Sequence, residues 1–81
     1  MDPSTIKADK FLDTSGLSCP MPLLKTKKTM KDMQSGEILQ ILGTDPGSKN
    51  DIPDFANKNG NEFLGMYDSE NGSTNYFIKK G

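Results

Sequence analysis

The sequence predicts an α+β domain: a two-layer α/β sandwich in β-α-β-α-β-β order, with two helices packed on one face of a four-stranded mixed sheet. Three observations predict it. Between residues 20 and 34, Leu23, Thr26, Met30 and Met33 follow a 3-4-3 step and form one semi-apolar helical stripe. Within residues 37–43, Ile38, Leu39, Ile41 and Leu42 place four large aliphatics in five positions, as a central strand does. Near the C-terminus two apolar runs flank Ser69-Glu70-Asn71-Gly72, whose Asn-Gly pair signals a hairpin turn.

Each element has its own justification. Residues 1–9 are polar, contain Pro3, and read as a flexible N-terminal tail; residues 10–81 read as a single domain. Lys10-Phe11-Leu12-Asp13-Thr14 is a short strand, and Ser15-Gly16 marks a turn after it. The first helix runs from Pro20 to about Gln34, with Gly36 as its stop signal. Its lysines lie mostly off the apolar stripe, as do Met21 and Leu24. After the central strand, residues 44–48 form a turn, and Ser48 is the expected N-cap of a second helix reaching about Asn59. Ile52, Phe55 and Ala56 give that helix an apolar face. Pro53 either kinks it or makes it start properly around Ile52. Residues 61–68 and 73–80 are the last two strands, carrying Phe63, Leu64, Met66 and Tyr67, then Tyr76, Phe77 and Ile78.

Composition narrows the chemistry. The chain has 81 residues, 32% hydrophobic and 26% charged, which suits one folded soluble domain. Its net charge of −1 gives no general attraction to nucleic acid or membrane. All ten basic residues are lysine, so bidentate arginine recognition of phosphates or bases is absent. With no histidine, a Cys-His or Ser-His pair within the chain is excluded. A single cysteine excludes a disulfide framework and cannot by itself hold zinc or an iron–sulfur cluster; no cofactor and no metal site are expected. No signal peptide and no apolar run of about 18 residues is present, so the expectation is a cytoplasmic protein with no membrane span.

The chemistry then centres on that cysteine, in Gly16-Leu17-Ser18-Cys19-Pro20-Met21-Pro22. Pro20 suits the first helical position, where its missing N–H would be unpaired anyway, and Pro22 falls in the same turn. A residue before proline is pushed out of the helical region, which places Cys19 at or beside the N-cap. There the positive end of the helix dipole favours thiolate over thiol, relative to a free cysteine pKa of about 8.5. Lys25, Lys27, Lys28 and Lys31 add positive field. Pro20 and Pro22 are therefore positioning candidates, and Met21, Leu24, Lys25 and Lys28 candidates for docking a partner around the sulfur.

Leu12-Asp13, Gly16-Leu17 and Cys19-Pro20-Met21-Pro22 together resemble the signature of the TusA/SirA-like sulfur carrier family. Asp45-Pro46, Asp51-Ile52-Pro53 with Phe55, and the closing Phe77-Ile78-Lys79-Lys80 extend the resemblance over roughly residues 10 to 80. It implies a sulfur carrier or sulfurtransferase in which Cys19 accepts sulfane sulfur as a persulfide. It also implies two partners: a persulfide donor, such as a cysteine desulfurase or rhodanese-like protein, and a sulfur-acceptor protein. Relatives serve tRNA thiolation, molybdenum cofactor synthesis or other sulfur metabolism. The expected carrier is a monomer with no direct nucleic-acid contact. The alternative is a non-enzymatic regulatory or protein-interaction module in which Cys19 is incidental or redox-sensing.

Overall fold

The computed structural model describes residues 7–18, 21–58, 60–70 and 72–81. Its elements run β1 (Lys10–Thr14), α1 (Met21–Lys31), β2 (Ile38–Gly43), α2 (Ser48–Lys58), β3 (Glu62–Asp68) and β4 (Thr74–Lys79). The four strands form one mixed sheet in the order β1-β2-β4-β3. β1 is parallel to β2, and β4 is antiparallel to both of its neighbours. This is the α+β sandwich expected from the sequence.

The strands follow from alternation. In β2, Leu39 and Ile41 are fully buried while Ile38, Gln40 and Leu42 on the other face are half-buried. Leu39 and Ile41 pack with Tyr76 and Ile78 of β4, Ile52 and Ala56 of α2, and Met30 and Met33. That cluster is the seam between the helices and the sheet. On the opposite face the centre is covered by the sheet's own side chains. Phe77 is 2% exposed and stacks with Tyr67, ring centroids 6.0 Å apart. Asn75 accepts a hydrogen bond from Gln40 (2.9 Å) and donates one to Ser69 Oγ (2.9 Å). The β3–β4 register shifts between Phe63 and Gly65, and Gly65 takes a positive φ of 147° there. The sheet's bonding also reaches one residue upstream of β1, into the stretch expected as a tail. The Asp9 N–H donates to the Ile38 carbonyl (2.8 Å), and its carboxylate accepts from the Ile38 N–H (2.9 Å).

Three sequence expectations are corrected. α1 ends at Lys31 rather than near Gln34. Asp32 and Met33 instead donate to carbonyls three residues back (3.2 Å each), which tightens the chain and turns Met33 into the core. Gly36, with φ 91°, sits in the turn leading to β2, not at the helix end. At Pro53, where the sequence left two readings open, α2 runs through from Ser48 and the later start around Ile52 is excluded. Pro53, the sixth of the 11 residues, forgoes its own bond to the carbonyl four back, and Ile52 beside it, fully buried, gains about 1.5–3 kcal/mol from leaving water, which offsets that loss. Finally, the Gly47 carbonyl accepts the first four-residue bond of α2, from Asp51 N–H (3.2 Å), so Gly47 and not Ser48 is the N-cap. A Cβ at Gly47 would sit 3.1 Å from Asp45 Oδ2, which folds back over it.

Candidate functional site

Register places the candidate site. Thr14 pairs with Gly43, and Gly43 with Thr74, so the C-terminal ends of β1 and β2 share one edge of the sheet. Both helices follow those strands and begin at that edge. In open α/β sheets this edge is where ligand and reaction sites collect.

The β1–α1 connection is fixed by short-range and cross-chain bonds. Thr14, fully buried, donates its hydroxyl to the Leu42 carbonyl (2.7 Å). The Leu17 N–H bonds back to the Thr14 carbonyl (3.1 Å). Asp13 Oδ1 accepts from the Ser15 N–H (2.9 Å) and also from the Ser15 hydroxyl. These Ser15 bonds, the hydroxyl first, hold the Asp13 carboxyl below the usual carboxylate range. Gly16, with φ 81°, donates its N–H to Thr44 Oγ1 (3.0 Å), tying this connection to the β2–α2 turn. On the far side the Met21 N–H donates to the Ser18 carbonyl (2.9 Å). Cys19 and Pro20 lie between these two residues and outside the described residues, so their expected roles stand on the sequence.

The remaining site residues divide cleanly. Pro22 is buried, the second residue of α1, where its missing N–H is one of the helix's unpaired donors. Its carbonyl accepts from the buried Thr26 hydroxyl (2.8 Å). Met21 and Leu24 are 42% and 48% exposed, so the apolar rim faces solvent. Lys25 and Lys28 are exposed beside them. No acidic residue stands in the first turn of α1, whereas α2 carries Asp51 in its first turn.

Sequence reasoning missed what lies under the start of α2. Tyr76 is fully buried, and neither its hydroxyl nor Asp45 Oδ2 has a hydrogen-bond partner among the described residues. Burial pushes the Tyr76 phenol up, helped by the Asp45 and Asp68 charges. Thr74 beside it eases this only partly, since its hydroxyl proton goes to Asp68 Oδ1 (2.8 Å). The aromatic run around residue 76 marked a strand but said nothing of a buried phenol.

A small sandwich with a cysteine in the sequence between β1 and α1, no carboxylate in the first turn of α1 and an exposed apolar rim there defines a single-thiol α/β protein. The chain matches the family described as "Sulfurtransferase TusA" over residues 10–80, and it belongs to that family. Among its relatives, "Putative sulfur carrier protein YrkI" of Bacillus subtilis is 42% identical over 94% of this chain and 100% of its own length. "Sulfur carrier protein TusA" of Allochromatium vinosum is 46% identical over 89% of this chain and 93% of its own. "Putative sulfur carrier protein YrkF" of Bacillus subtilis is 46% identical over 94% of this chain, yet the matched region spans only 40% of that longer protein. The crystal structure of a SirA-like protein from Desulfitobacterium hafniense superposes with a TM-score of 0.80, covering 89% of this chain and 97% of that one, at 22% identity. That likeness bears on the fold.

Proposed function

We propose that the protein is a sulfur carrier that holds sulfane sulfur as a persulfide on Cys19 and passes it between partner proteins. The Cys19 thiolate attacks the outer sulfur of a donor persulfide. The donor's S–S bond breaks, a new S–S bond forms on Cys19, and the donor leaves as a thiolate. An acceptor thiolate then repeats the step and returns Cys19 to its starting state. Sulfur moves with no net oxidation, so the chain needs no redox cofactor of its own. The donor is a protein persulfide of the cysteine desulfurase or rhodanese-like class, and the acceptor a protein thiol.

The observation that carries this reading is the start of α1. Its first turn bears no carboxylate to offset the positive end of the helix dipole, and Met21 and Leu24 are exposed around it. The chain's one cysteine stands two residues before that helix begins. Family membership and relatives named as sulfur carriers support the same chemistry. A reducing cytoplasm would keep the thiol available.

The test is mass spectrometry after incubation with a persulfide-loaded donor protein. The expected result is a mass increase of one sulfur atom on the Cys19 peptide, lost in Cys19→Ser and discharged by an acceptor thiol. An adduct of the same mass persisting in Cys19→Ser overturns the assignment.

A further inference from the structure

Two clefts lie along the helices, and they share Lys27 and Phe55. The smaller, about 210 Å³, is also lined by Leu23, Asp51, Asp54 and Lys58, and so carries two carboxylates against two lysines. The larger, about 320 Å³, is lined by Lys27, Met30, Lys31, Phe55, Asn61 and Lys80. Three lysines and no carboxylate line it. Among the described residues the ion pairs are Lys49–Asp68 and Lys58–Asp54, neither of which uses these lysines. Asn61 already accepts the Gly81 N–H on its Oδ1 (2.9 Å), which leaves its amide N–H groups as donors. The three lysines and the Asn61 amide N–H groups give the cleft a surplus of donors, with the Asn61 carbonyl already engaged by Gly81. The apolar part is Met30, 2% exposed, and Phe55, over whose ring Lys27 Nζ stands 5.8 Å from the centroid.

Location separates this cleft from the described ends of the β1–α1 connection, Ser18 and Met21. Lys80 donates its N–H to the Glu37 carbonyl just before β2, and Lys31 ends α1, so the cleft opens toward the edge of the sheet opposite the β1–α1 connection. In a chain of net charge −1, this is a local concentration of positive charge with an apolar lining.

We propose that this cleft is a binding site for a small organic anion with a compact aromatic or aliphatic body. The lysines and the Asn61 amide take the anionic group, and the half-buried Phe55 takes the body. The volume sits at the small end of ligand clefts, enough for one ring and one anionic group. The proposal does not rest on sulfur transfer, and Cys19→Ser should leave it intact.

The probe is phenyl phosphate, titrated into the ¹⁵N-labelled full chain. Inorganic phosphate supplies the charge alone and phenol the body alone. The expected result is saturable shifts at Lys27, Lys31, Phe55, Asn61 and Lys80, with phenyl phosphate bound at least about tenfold more tightly than either control. Added salt weakens it. Lys31→Glu/Lys80→Glu reduces affinity by about tenfold, and the equal charge reversal Lys7→Glu/Lys10→Glu does not. Should the double reversal disturb folding, Lys31→Gln and Lys80→Gln singly should each weaken binding in the same direction. Equal affinity for inorganic phosphate, shifts that map to the helix N-termini, or affinity unchanged by the lysine variants overturns the proposal. So does an acidic peptide that occupies the cleft where phenyl phosphate does not.

Discussion

α1 and α2 leave the same edge of the sheet, are both 11 residues long, and differ in what their first turns carry. The fourth residue of α2 is Asp51; the fourth residue of α1 is Leu24, exposed and apolar. α2 is also preceded by Asp45, whose carboxylate folds over the N-cap glycine. The positive end of α2 is thus met by the chain's own carboxylates. The positive end of α1 is not. Its nearest upstream acid, Asp13, is bonded to Ser15, and the charges that follow along the helix are lysines. The first turn of α2 carries a carboxylate and that of α1 carries none, a position that the proposed function leaves to the Cys19 thiolate.

Breaking the seat of α2 should have the largest effect. Ile52→Ala removes a fully buried side chain between α2 and the sheet and is expected to cost about 2–5 kcal/mol in denaturant unfolding. A loss below about 1 kcal/mol would mean α2 is not seated by that residue.

Tyr76→Phe comes next, beneath the start of α2. It removes a buried hydroxyl that has no hydrogen-bond partner among the described residues, so stability at neutral pH should hold or rise by about 1 kcal/mol. The raised phenol sets the sign at high pH. Its contribution is full below the ordinary tyrosine pKa of about 10 and is lost as pH rises through the higher folded value. Melting temperatures above about pH 10 should therefore fall more steeply in the wild type than in Tyr76→Phe. Parallel curves would show that the phenol is not held neutral by its surroundings.

Asp51→Asn gives the smallest stability change, a loss of about 0.3–1 kcal/mol that shrinks with added salt. A neutral effect at low salt would remove the charge contrast between the helices.

Much of this was legible in the sequence because it is local. The alternation in β2, the Asn-Gly turn and the helical stripe each announce their element within a few residues. The place of Met21 and Leu24 off the apolar stripe was legible too, although it suited partial burial at the helix edge as well as the exposure found. The errors come where two local signals compete. Met33 continues the stripe in register although the helix has already tightened and turned. Ser48 is a good cap by type, but Asp45 folds over the preceding position, where glycine avoids the clash. Beyond reach were pairings between distant residues. The Gly16–Thr44 and Thr14–Leu42 bonds, the burial of Tyr76 under α2, and the meeting of Lys31 with Lys80 depend on the sheet bringing together positions with no shared pattern in the sequence.

The most direct measurement moves the acid of α2 onto α1. Cys19 alkylation by a small neutral reagent is timed at neutral pH in the wild type, Leu24→Asp and Leu24→Asn, where docking plays no part. A carboxylate at the fourth position should slow the reaction about two- to fivefold, matching 0.3–1 kcal/mol of charge interaction at a helix N-terminus, while the neutral asparagine leaves it unchanged. Equal rates in all three proteins, no faster than a cysteine in a short peptide, would contradict the account.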